Sequence, residues 1–193
     1  MHTIEDIAEL LPSRAGERIA WQNLHGAAPG YCVAKAAEQH AGFTLVLAHN
    51  TAEAQRWLDQ IGLFSDGTRE ILHFPDWETL PYDAFSPHQD IISERLATLS
   101  RLPKIHQGVL VVPVTTSMQR LPPKSYIDGH SFALAENAKF ELHAERARLE
   151  AAGYLAVDTV SSRGEFAVRG SLMDIFPMGM DNPVRIDLMD DEI

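Results

Sequence analysis

The chain has 193 residues, 45% of them hydrophobic, which is enough for one or two domains with a real core. Its 27 acidic residues outnumber 16 basic ones, and the net charge of −11 argues against nucleic-acid backbone as the main partner, since phosphate contacts need a local basic excess. One cysteine, Cys32, excludes an intrachain disulfide and a cysteine-built zinc site and fits a reducing cytoplasm; no apolar run approaches the roughly 18 residues of a membrane span, and the acidic start "MHTIEDIAEL" is not a signal peptide.

In chain order, residues 4–11 carry a short helical pattern closed by Pro12, and a strand is expected over Arg18–Leu24. Pro29 suits a first helical residue, where its missing N–H would have no partner; the helix should run to His40, with Gly42 as its C-terminal cap. "FTLVLAH" (43–49) is a continuous apolar run and reads as a strand covered on both faces. Asn50 or Thr51 can cap the next helix, in which Ala54, Trp57, Leu58 and Ile61 share one face. "EILHF" is a second strand, Ser86 and Pro87 open a helix with Ile92, Leu96 and Leu99 on one face, and "GVLVVPV" (108–114) is a third buried strand. This alternation predicts a parallel sheet with helices on both sides.

The texture changes at "LPPKSYIDGH", a Pro/Gly-rich stretch that reads as a linker and places a domain boundary at 122/123. A strand over 131–135 and a helix over about 141–152, closed by Gly153, should follow. "GEFAVRGSLMDIFP" and "PVRIDLMDDE" have no helix between them, so residues 123–193 read as α+β with antiparallel strands. The last segment meets no closing element, and the expectation is an incomplete second domain in a piece of a longer polypeptide.

The turn "HGAAPGYCVAK" (25–35) invites comparison with a phosphate loop, G-x-x-x-x-G-K-[ST], in which the lysine neutralises phosphates and the hydroxyl binds magnesium. After Gly30 stand Tyr31 and Cys32; counted from Gly26, the two positions hold Cys32 and Val33. Lys35 lies about one helical turn further on and cannot act at the turn. The scaffold looks nucleotide-binding and the site does not.

"FPDWETLPYDAFSPHQDIISERLATLSRLP" (74–103) closely resembles the N-terminal region of bacterial transcription-repair coupling factors. "GEFAVRGSLMDIFPMG" with "VRIDLMDDEI" is similar to the same family and also to the excision-repair protein UvrB. The likeness runs from about residue 18 to the end. It implies a degenerate helicase-like (P-loop NTPase-like) α/β domain over 1–122 and a smaller α+β UvrA-binding domain over 123–193. It further implies that the chain recruits UvrA to stalled RNA polymerase without an ATP site or enzymatic activity of its own. ATP, magnesium, DNA and RNA polymerase would belong to motor and other domains of the full-length translocase. Until the motor engages, the C-terminal part of the same polypeptide would mask the UvrA surface. UvrB has a long β-hairpin between its tyrosine-rich loop and the next helix; here only "DAF" separates Tyr82 from Ser86, which leaves no room for it.

The residues that match the family's UvrA-contact positions are Arg169, Arg185 and Met189, the last often aromatic in the family. Strand alternation puts Arg185, Asp187 and Met189 on one face and Val184, Ile186 and Leu188 on the other, the obvious core face. Arginine and methionine are both enriched at interfaces, while an ordinary solvated face would look the same from spacing alone. Asp190, Asp191 and Glu192 read as a solvated turn rather than a metal site, and the nine histidines form no ligand pattern. His88 and Asp90 read as helix capping, and Cys32 as a small buried hydrophobe. "DWETLPYD" reads as a structural loop, with a residual ligand cleft near Asp76–Tyr82 left open. The competing function is a nucleotide-dependent helicase or repair protein like UvrB.

Overall fold

The computed structural model of the chain describes residues 11–80, 82–130 and 138–193; the strand expected over 131–135 and all but the last residue of the helix expected over 4–11 lie outside them. The chain divides into two compact units, Met1–Asp76 with Pro103–Gln119, and Trp77–Leu102 with Arg120–Ile193. One crossing lies close to the expected boundary at 122/123. Residues 77–102, read from sequence as part of the first domain, pack with the second unit.

The first unit holds α1 (Ala28–Gln39), β1 (Phe43–Ala48), α2 (Thr51–Phe64), β2 (Glu70–His73), β3 (Gly108–Pro113) and the single turn α4 (Val114–Ser117). Its three strands are parallel in the order β1-β3-β2, with Leu45 and Leu72 both in register with Leu110. Asn50 caps α2, its side chain accepting from the Glu53 N–H, and Ala54 and Ile61 join Ala34 and Ala37 of α1 against Val46, Ala48, Val109 and Val111. Central β3 is buried throughout. Edge strand β1 is not: Leu45 and Leu47 are each 55% exposed, so the expected cover on both faces fails there. Alternation explains the split, since Val46 and Ala48 point to the helices and the leucines point the other way.

The strand expected over Arg18–Leu24 is absent; Asn23, at a φ of 59°, breaks the extended run, and Trp21 and Leu24 instead pack against Cys32 and Ala36 of α1. Helix α1 ends on His40, whose N–H donates to the Ala36 carbonyl, so Gly42 is not its cap. Gly30 lies inside α1, where a Cβ would come 2.3 Å from Cβ of Gln60 on α2. Glycine there sets the crossing distance of two helices. Gly30→Ala is expected to destabilise the first unit by about 1–3 kcal/mol, read as a lower urea midpoint with an unchanged slope.

The second unit holds α3 (Gln89–Arg101), α5 (Lys124–His130), α6 (Leu142–Ala151) and a four-stranded sheet of β4 (Leu155–Ala156), β5 (Glu165–Arg169), β6 (Leu172–Ile175) and β7 (Val184–Asp187) in that order. Strands β5, β6 and β7 are antiparallel as expected, and the two-residue β4 adds a parallel edge. The stretch read as a linker carries α5 instead. Gly153, at φ +90°, closes α6: its N–H donates to the Glu150 carbonyl and the Tyr154 N–H to that of Leu149, the paired bonds of a Schellman motif. The core joins Phe140, Leu149, Phe166, Met173, Ile175, Ile186 and Leu188.

Helix α3 begins three residues later than expected, with His88 as N-cap accepting from the Asp90 N–H at 3.3 Å. The capping reading of His88 and Asp90 therefore holds. The buried residues of α3 are Ser93, Arg95 and Thr98, while Ile92, Leu96 and Leu99 are half-buried. Polar partners explain this inversion. The Gly179 N–H donates to Ser93 Oγ at 2.7 Å, and the Arg95 guanidinium lies 3.9 Å from the centre of the Trp77 ring. Arg163 bonds Asp90, Asp181 and the Met180 carbonyl, which ties the start of α3 to the connection between β6 and β7.

Candidate docking face

The site grows from one hairpin and the strand beside it. Strands β5 and β6 are joined by Gly170 and Ser171, with Gly170 at φ +61°. A positive φ at the first of two loop residues is the position where hairpins favour glycine. The turn fixes the register: Ala167 faces Asp174 and Arg169 faces Leu172; across to β7, Asp174 faces Arg185 and Leu172 faces Asp187. Residues in register share a face of the sheet. Phe166, Met173, Ile175 and Ile186 take the core side. Arg169, Asp174, Arg185 and Asp187 take the outer side together.

The structure therefore brings Arg169 and Arg185 to one surface, and Met189, two residues past the end of β7, is 84% exposed. Met189 opens a tight turn in which its N–H donates to the Glu192 carbonyl at 2.9 Å and its own carbonyl accepts from the Glu192 N–H at 3.2 Å. Asp190, at a φ of 58°, lies inside that turn with Asp191, and no group of His, Cys, Asp or Glu able to hold a metal ion occurs among the described residues. Backbone bonds from Phe140 N–H to the Asp191 carbonyl and from Ile193 N–H to that of Ala138 fasten the turn to the domain.

Arg185 and Asp174 form an ion pair on this face. Arg185 donates from Nε to Asp174 Oδ1 at 2.6 Å and from Nη2 to Oδ2 at 2.8 Å, a two-pronged contact. Arg169 donates to the Asp158 carbonyl and to Thr159 Oγ1, which hold its guanidinium at the end of the hairpin. The hydrogen bonds from Arg185 hold the Asp174 carboxyl below its ordinary range, helped by the charges of Arg185 and Arg169 and opposed by desolvation. Asp174 was missed in the sequence reading because it stands 11 positions from Arg185, and only the β6–β7 register brings them opposite.

A depressed carboxyl pKa stabilises the fold above the unfolded value and stops doing so as pH falls through the folded value. An NMR titration should place the Asp174 midpoint below the ordinary value of about 3.9. Arg185→Ala should move it back upward; an unmoved midpoint would contradict the pairing.

The turn compared with a phosphate loop is built otherwise. With no strand over residues 11–25, the chain turns at Gly26 (φ +62°) and enters α1. The Tyr31 ring sits edge-on to Phe64 at 5.4 Å, and Lys35 pairs with Glu38 at 2.7 Å. Cys32 is 7% exposed, and its burial raises the thiol pKa, consistent with a packing role. At the carboxyl end of the first sheet, Asp76 Oδ2 accepts from Thr115, Thr116 and Gln119 at 3.0, 2.8 and 3.3 Å. In the second unit, six residues, Asp83–His88, separate Tyr82 from α3, and none of them is in a strand. Among the described residues no helix is long and apolar enough to cross a membrane.

Residues 132–193 match the UvrB interaction domain family. The chain is 48% identical over 183 residues to the transcription-repair-coupling factor of Escherichia coli (strain K12), covering 95% of this chain and 16% of that protein. It is 39% identical over 183 residues to the factor of the same name from Haemophilus influenzae, again 95% and 16% of the two chains. Against that of Mycobacterium bovis it is 33% identical over 192 residues, covering 95% and 15%. The chain thus spans about a sixth of the length of these relatives. By these matches the chain is homologous to the N-terminal region of transcription-repair-coupling factors, with a UvrB interaction domain over its last third.

Proposed function

We propose that this chain is a recruitment module: the outer face of the second sheet, with Arg169, Arg185 and Met189, docks UvrA and brings excision repair to stalled RNA polymerase. The observation that carries this reading is the exposed arginine pair on the face opposite the core, with an 84% exposed methionine just past the end of β7. Forked donors suit carboxylates and backbone carbonyls of a partner, and a thioether packs adaptably against apolar surface. In the whole polypeptide, DNA translocation, displacement of RNA polymerase and masking of this face would fall to other domains.

The module has no ATP site of its own in this reading. A triphosphate needs a cation at the turn, and there Tyr31 packs on Phe64 while Lys35 is paired with Glu38. Isothermal calorimetry of the 193-residue chain with purified UvrA tests the docking, and saturable 1:1 heat is the expected result. A fluorescent ATP analogue tests the rest. No saturation at micromolar protein is expected, and micromolar binding would favour a nucleotide-dependent UvrB-like protein instead.

A further inference from the structure

Arg185 has five N–H donors arranged along the edges of a plane. Asp174 takes the edge made by Nε and Nη2, at 2.6 and 2.8 Å. That contact leaves the opposite fork, one N–H each from Nη1 and Nη2, outside the pair. The Arg185 side chain is 61% exposed, whereas that of Asp174 is only 22% exposed, so the carboxylate lies lower in the sheet surface than the guanidinium it holds. Asp174 is itself on a central strand, between β5 and β7, so its backbone is held on both sides by the sheet. The hydrogen bonds from Arg185 chiefly favour the ionised carboxylate, and Arg169, at the hairpin end, adds a smaller charge effect in the same direction.

We infer that Asp174 is a positioning residue of the docking face: it locks Arg185 by one edge and so presents the other edge, already oriented, to a carboxylate of the partner. This rests on the docking reading above. Two effects of Asp174 oppose each other. Its negative charge lowers the attraction of the face for an acidic partner, which acts on the encounter rate. Its grip removes the ordering cost that a free, rotamer-rich arginine would bear on binding, which acts on the lifetime of the complex. At this site the second effect wins, because Arg185 is the more exposed member and would otherwise sweep a wide arc of solvent. The arrangement also makes arginine obligatory. A lysine at 185 has a single ammonium with no fork, and pairing with Asp174 would occupy it.

Surface plasmon resonance of the 193-residue chain with UvrA tests this with Asp174→Asn, Arg185→Ala, Arg185→Lys and the double variants, each first shown to keep the wild-type melting curve. Asp174→Asn is expected to speed dissociation about three- to tenfold, with association equal or slightly faster. In the Arg185→Ala background the same change should do nothing, and in the Arg185→Lys background it should restore part of the lost affinity. Dissociation unchanged by Asp174→Asn, or an equal effect with and without Arg185, overturns the inference while leaving the docking reading intact. Wild-type chain that fails to bind UvrA removes both. A partner-free readout stands beside these: the Arg185 Nε–H should give a protected NMR resonance that Asp174→Asn abolishes, and its absence in the wild type also overturns the inference.

Discussion

Arg185→Ala is expected to weaken UvrA binding by about 1–3 kcal/mol, roughly 5- to 150-fold in Kd, with Arg169→Ala in the same range. The expectation follows from where the two side chains lie. Both stand on the outer face, in register with residues whose neighbours build the core, so they can be cut back without opening a cavity. Removing Arg185 does break its contact with Asp174, but solvent screens a pair this exposed, so it contributes little to folding. Stability and binding should therefore separate. Calorimetry with UvrA beside a urea melt is the measurement; two variants that bind like the wild type would remove this face as the docking site. The pair should also be tested together, because both arginines act on Asp174 and their effects need not add.

Phe166→Ala should do the reverse. Phe166 is 1% exposed on β5, which has a strand on either side, and it packs among Phe140, Met173, Ile175 and Ile186. Truncating a phenylalanine at such a site costs about 3–5 kcal/mol in lost transfer energy and residual cavity. Against the roughly 5–15 kcal/mol that stabilises a typical domain, this brings the second unit near its unfolding threshold. Loss of binding would then track loss of structure, as a falling urea midpoint and a binding-competent fraction that recovers on cooling. A loss below about 1 kcal/mol would mean that the second core is looser than its burial implies.

Helices α1, α2 and α6 and strands β1, β2, β3 and β7 were legible because each has a dominant period and punctuation with a mechanism: Pro29 at a helix start, Asn50 as a cap, Gly153 in the left-handed region. The strand expected over Arg18–Leu24 failed because apolar content alone does not supply a neighbour to pair with, and Trp21 and Leu24 found α1 instead. Helix α3 was legible in position but not in its buried face. Its period marked Ile92, Leu96 and Leu99, whereas the packing selected Ser93 and Arg95, whose partners Gly179 and Trp77 lie far away or across a turn.

The same division governs the site. Composition, the absent lysine after Gly30 and the 2-residue alternation of the last strand belong to the sequence itself, because each depends on neighbours along the chain. They sufficed to put Arg185 and Met189 opposite Ile186 and Leu188. That Arg169 shares this face, that Asp174 grips Arg185 from one side, and that Gly30 serves a helix crossing were decided only by the tertiary structure. Strand register and helix approach are set by the packing of whole elements, and no local pattern encodes which residue will stand across the gap.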